Sequence, residues 1–200
     1  MDNSTTNAGA WQPRNSSSVF DSDAPLLGSR ATEIGLLLGL GALVVLAHVS
    51  AHLPLKLPGH HGLEWMAILM FARTLSRERH AAAIVALASA GLCSLPALGL
   101  NEPFMGLGYL LTGLVVDALY AWLRVPGPFT LAALAGLAHV AKPLWKWAAV
   151  QGLGVSFGSI TAGTAFAIGS HLGFGFVGGL AGALAGRALR RRWQAQQHGR

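Results

Sequence analysis

AHVSAHLPLKLPGHHGLEW, residues 47–65, closes one apolar run and opens the next. Pro54 and Pro58 stop a helix here, because proline lacks an amide hydrogen and its ring clashes with the preceding turn. Gly59 and Gly62 free the backbone beside them. Four of the chain's eight histidines fall in the stretch: His48, His52, His60 and His61. Long apolar runs flank it. That pattern reads as membrane spans joined by a polar connection, and ionisable groups gathered at the rim of such spans point to a polar ligand.

The composition agrees. Of 200 residues, 52% are hydrophobic and 11% charged, against about 25% charged in soluble domains. Twenty-six glycines suit helices packed closely in lipid. The expected fold is an all-α integral membrane protein, a compact bundle of about six transmembrane helices. Cys93 is the only cysteine, so there is no disulfide or cysteine–metal framework. The net charge of +6 is spread over the ends of apolar runs and forms no continuous basic face, which argues against a nucleic-acid partner. No GxxxxGK[ST] pattern is present, so the chain cannot itself power transport by ATP.

Residues 1–30 are polar and rich in Ser, Asn and Asp, and read as a disordered cytoplasmic tail without a signal peptide. Residues 31–192 form the six-helix domain, and 193–200 a cytoplasmic C-terminal tail. The expected spans are 33–52, a short 63–75, 81–98, 104–123, 129–150 and a sixth ending near Leu189. The fifth is expected to be interrupted at Lys142-Pro143, and RALRRRW to stop the sixth. Residues 151–163 read equally as a re-entrant segment, a loop or the start of the last helix. Small-residue pairs Gly35/Gly39 and Ala47/Ala51, and the triplet Gly178, Gly182 and Gly186, offer close-packing faces. With six spans, eleven of the fourteen Lys and Arg fall on the side of the termini, which the positive-inside rule places in the cytoplasm of a plasma (inner) membrane protein.

That topology gathers the ionisable groups at one outward level. His48 and His52 share a helix face at the end of the first span. His60, His61 and Glu64 lie at the mouth of the second, and Asn101 and Glu102 in the next outer loop. His139, Lys142 and Lys146 of the fifth span and His171 of the sixth reach the same depth, beside Trp65, Trp145 and Trp147. A charge facing lipid costs several kcal/mol, so the expectation is an outward-opening cavity under a lid formed by residues 53–62. Its candidate substrate-binding residues are His60, His61, Asn101, His139, Lys142, Trp145, Lys146 and His171. An aromatic belt with snorkelling lysines is the plainer reading of Trp65, Trp147 and Lys146. Asp117 lies at the inner level and is expected to pair with Arg124 or another helix-end arginine.

The order LPGHHGLEWMAILMFARTLSRERHAAAIVALASAGL, then NEPF, then YLLTGLVVDALY resembles the substrate-binding S component of energy-coupling factor (ECF) transporters, over roughly residues 33–192. The resemblance implies a capsule that takes up a vitamin-like micronutrient from outside and passes it to a T-type transmembrane scaffold protein and two ATP-binding-cassette ATPases. It also implies a docking face for that scaffold on the first helix, with Ala47 and Ala51, or Gly35 and Gly39, as candidates. No cofactor and no catalytic residue is implied. The Met-His N-terminal segment of the cobalt and nickel members is absent. The cationic balance of the outer level favours an anionic or heteroaromatic solute paired to lysine.

Two other readings stay open. His48, His52, His60 and His61 suit a borderline divalent metal. A membrane-embedded enzyme would draw on Ser156 or Ser159 with His139 or His171, although GVSF lacks the final glycine of the rhomboid-type pattern. A self-contained channel or secondary transporter lacks the expected inverted repeat.

Overall fold

A computed structural model describes residues 29–50, 57–98, 100, 104–123, 127–154 and 163–198. The described secondary structure is helical throughout: α1 Arg30–Ser50, α2 Gly62–Leu75, α3 Ala81–Cys93, α4 Met105–Trp122, α5 Pro128–Leu153 and α6 Thr164–His198, with a 3-10 turn at Pro96–Leu98. Among the described residues there is no strand. Most of the tail 1–30 lies outside the described residues, as do His52, Ala51, Asn101, Glu102, Arg124, Ser156 and Ser159.

Among the described residues, three helices are long and apolar enough to cross a membrane: Arg30–Ser50, Met105–Trp122 and Thr164–Gln196. They point apolar side chains outward, including Leu38, Leu43 and Leu46 of α1, Leu114 of α4, and Val177 and Leu184 of α6. A water-soluble bundle would turn such faces inward. α2 and α3 have 14 and 13 residues, so each rises only about 20 Å, short of a hydrocarbon core of about 30 Å. α5 has 26 residues but carries the buried His139, Lys142 and Lys146.

The helices pack in a ring: α1 on α3, α3 on α4, α4 on α5, α5 on α6, α6 on α2, and α2 back on α1. α2 thus sits between the first and last helices. Gly178, Gly182 and Gly186 of α6 make that seat. A Cβ at Gly178 would lie 2.6 Å from the carbonyl oxygens of Gly62 and Leu63, one at Gly182 would overlap the Ala67 carbonyl, and one at Gly186 the Thr74 hydroxyl. On α1 the close approach is made instead by Gly41, whose added Cβ would meet the Val85 carbonyl at 2.7 Å. Gly35 and Gly39 face away from this chain, with nothing within 4 Å.

At the end of the bundle opposite His139, two buried carboxylates tie the α2–α3 connection to its neighbours. Glu33 of α1 accepts hydrogen bonds from the Ser76 hydroxyl, from the Arg77 amide at 2.7 Å and from the Glu78 amide at 3.2 Å. Asp117 of α4 accepts from the first-turn amides of α3, Ala82 at 3.3 Å and Ala83 at 2.8 Å. Its ionic partner is Arg73 at 3.8 Å, which also stacks 4.2 Å over the Tyr120 ring. Asp117 is therefore structural, and the helix-end arginine that pairs with it is Arg73, in the last turn of α2, while Arg124 lies outside the described residues.

Three boundaries differ from the sequence expectation. α3 ends at Cys93, five residues before 98, because Pro96 has no N–H to return to Leu92 and disfavours helix at Leu95. α5 is continuous through Pro143, although Pro143 leaves the His139 carbonyl without its i+4 donor. Packing against α4 and α6 holds it on both sides. α6 continues through RALRRRW to His198, past the expected boundary at 192. Arginine ends an apolar run, but it is a good helix former and does not end a helix.

Candidate functional site

The polar cluster sits where α1 ends, α2 and α4 begin, and α5 and α6 pass. His139 is its centre, 1% exposed on α5. The Trp65 indole N–H, which can only donate, reaches His139 Nδ1 at 3.3 Å. Nδ1 is therefore the acceptor, so Nε2 carries the proton and donates to the Gly59 carbonyl at 3.3 Å. This pairing fixes one neutral tautomer and connects α5 to α2 and to the loop before it.

That loop can approach so closely only because of its glycines. Gly59 has φ +79, and a Cβ there would lie 2.7 Å from the His171 ring. A Cβ at Gly62 would lie 2.5 Å from His139 Nε2. The described part of the expected lid, residues 57–62, thus covers His139 and His171. His171 is buried on α6, its ring 4.7 Å from that of His139. Its Nδ1 donates to the Ala167 carbonyl at 2.7 Å.

Three further imidazoles stack beside this pair. The His48 and His61 rings are 4.2 Å apart and the His60 and His61 rings 4.0 Å. His60 Nδ1 donates to the Leu57 carbonyl at 2.7 Å, and His48 Nδ1 lies 3.3 Å from the Tyr109 hydroxyl. Burial pushes the His61 imidazole down to about 4, reinforced by His48, His60 and Lys142. His61 Nδ1 and Glu64 Oε1 are both buried without a hydrogen-bond partner, 3.8 Å apart.

Lys142 is 8% exposed, and among the described residues no carboxylate lies within ion-pair distance of it. Its ammonium sits 4.9 Å over the Tyr109 ring, and that ring meets Trp65 edge-on at 4.7 Å. Lys146, one turn on, is also buried. The cluster thus sets a buried ammonium over an aromatic ring, near the buried His61 and Glu64 atoms that have no hydrogen-bond partner.

The expected residues His60, His61, His139, Lys142, Lys146 and His171 are all found at this end of the bundle. Trp145 turns aside, half-buried against the edge of Phe104 at 6.2 Å, and Trp147 is 47% exposed. Trp65, Tyr109, Glu64 and His48 enter the cluster without having been expected as solute contacts. Tyr109 lies one turn into α4. Among the described residues no group of three His, Cys, Asp or Glu is placed to hold a metal ion. His48, His60 and His61 stack ring on ring, with His48 and His60 directing nitrogens to Tyr109 and Leu57. Beside the cluster, an apolar groove of about 640 Å³ runs between the end of α3 and the start of α4, lined by Cys93, Leu95, Phe104 and Met105.

No protein-family model, curated protein or solved structure matches the chain.

Proposed function

We propose that the protein is the membrane-embedded substrate-binding component of an ECF-type importer. It captures a vitamin-like micronutrient, anionic or heteroaromatic, from the outer face. The observation that carries this reading is Lys142, a buried ammonium without a carboxylate partner among the described residues, set over the Tyr109 ring in the same cluster as the His139 and His171 pair that the glycine loop approaches. An unpaired buried cation is costly, and an anionic solute would relieve that cost each time it binds. The protein is a binding component rather than an enzyme, and uses no cofactor.

In this reading all six helices lie in the plasma membrane with both termini cytoplasmic. α2 and α3 are too short to cross alone and rely on their neighbours. Energy comes from a T-type scaffold protein and two ATP-binding-cassette ATPases. The scaffold docks on α1, where Gly35 and Gly39 face outward; Ala47, half-buried, lies further along the same helix.

Mass spectrometry of small molecules and metals released from gently purified protein tests the reading. A stoichiometric organic anion supports it, and Lys142→Ala should then lower its retention at least about tenfold, or 1.4 kcal/mol. A stoichiometric divalent metal, or no bound molecule in any of several detergents, counts against it.

A further inference from the structure

The C-terminal end of α6, cytoplasmic in the reading proposed above, carries a second charged surface away from the His139 cluster. At about 1.5 Å per residue, the 35 residues of α6 rise about 52 Å, well beyond a hydrocarbon core of about 30 Å. The last turns carry Arg187, Arg190, Arg191, Arg192 and Trp193. Arg190 continues the Gly178, Gly182, Gly186 ridge at the same four-residue spacing. It is half-buried beyond the end of α2, in electrostatic range of Arg77 and Tyr120.

The nearby acids are already engaged. Glu33 accepts from the α2–α3 connection, Glu78 holds Arg30 through two hydrogen bonds, and Asp117 holds Arg73 and the start of α3. Among the described residues, no carboxylate is within ion-pair distance of Arg190, Arg191 or Arg192. A half-buried guanidinium with no carboxylate at ion-pair distance among the described residues, and a second cation in electrostatic range, favours an anion beside it.

The shape of the surface selects which anion. Val177 and Leu184 are exposed at 55% and 51%, and Arg191 follows at the same seven-residue interval. One face of α6 therefore offers an apolar stripe crowned by a guanidinium. Trp193 is half-buried at the same level, where an indole suits the membrane interface. An acidic peptide would use the arginines but leave the stripe idle; a phospholipid uses both.

We propose that this end of α6 is a binding site for the phosphate headgroup of an anionic phospholipid, held at Arg190 and Arg191, with its acyl chains along Leu184 and Val177. Basic clusters at the cytoplasmic interface recognise such headgroups through charge-assisted hydrogen bonds.

The test is native mass spectrometry of the full-length protein in micelles holding equal phosphatidylglycerol and phosphatidylcholine. The wild type should retain phosphatidylglycerol at least about fivefold in excess. The triple variant R190Q/R191Q/R192Q should lose the preference, and the charge-keeping R190K/R191K/R192K should retain most of it. Inorganic phosphate at about 10 mM should not displace the lipid, since it cannot use the apolar stripe. No preference in the wild type, an equal preference in the glutamine variant, loss in both triple variants, or displacement by phosphate would each overturn the proposal.

Discussion

Replacing Lys142 by methionine should move stability and binding in opposite directions. The two side chains have similar length, so Lys142→Met removes the charge and leaves the cage filled. Lys142 is 8% exposed, and its ammonium sits 4.9 Å from the centre of the Tyr109 ring. Taking an ammonium out of water without a counter-ion costs several kcal/mol, and a desolvated cation–π contact returns about 2 kcal/mol. The empty wild-type protein therefore carries a net burden of about 2 kcal/mol or more at this position. The variant, stripped of solute, should unfold about 4 °C higher in the same detergent, taking roughly 2 °C per kcal/mol for a chain of this size. Retention of the co-purifying solute should fall at least about tenfold. Intrinsic tryptophan fluorescence on heating reads the first quantity, and mass spectrometry of released solute the second. A variant that melts lower while holding its solute as the wild type does would refute the argument, because Lys142 would then be a packing residue.

Other expectations follow from the packing. Gly182→Ala sets a methyl group against the Ala67 carbonyl, a backbone atom that cannot yield, and should cost about 2 kcal/mol or more in thermal unfolding; Gly39→Ala, with nothing within 4 Å, should stabilise α1 by up to about 1 kcal/mol. Asp117→Asn keeps an acceptor for the Ala83 amide but removes the carboxylate charge beside the buried Arg73 guanidinium, which keeps its hydrogen bonds to the Glu78 and Arg79 carbonyls, and should cost about 2 kcal/mol. Combining it with Arg73→Met should recover part of that loss, and an additive double variant would speak against the pair. His61, pushed down to about 4, binds its proton less readily folded than unfolded. Its contribution is thus fully present above about pH 6.5 and is lost as pH falls towards 4. Nuclear magnetic resonance of labelled histidine should find His61 neutral at about pH 5, and His61→Gln should flatten the fall in melting temperature across that window.

Uninterrupted apolar runs made α1 and α4 readable from sequence: the expected 33–52 and 104–123 lie within three residues of Arg30–Ser50 and Met105–Trp122. The misread boundaries share a cause. Apolar residues continue past Cys93 although a proline follows, Pro143 penalises a helix that its neighbours hold straight through, and the arginines end a membrane run without ending α6. In the site, His139, Lys142 and His171 were legible because an ionisable group in an apolar run needs a reason to be there. Trp65 and Tyr109 were not, because an aromatic near a span end is ordinary. Trp145 was expected at the site on depth alone. At 3.6 residues per turn it lies about 120° around α5 from His139, and there it meets Phe104.

The seating of α2 between α1 and α6 has a consequence for biogenesis. The glycine ridge that receives α2 lies about a hundred residues further along the chain and is synthesised last. Until then α2, with 14 residues, is too short to stand across a bilayer alone, and the Gly62, Leu63 and Ala67 carbonyls lack the surface that will cover them. In the proposed six-span reading, α2 waits at the membrane surface or beside an insertion chaperone while four more helices are made. The ring closes only when α6 arrives, and a ribosome stalled before residue 164 would hold a chain whose loop can meet His139 but not His171.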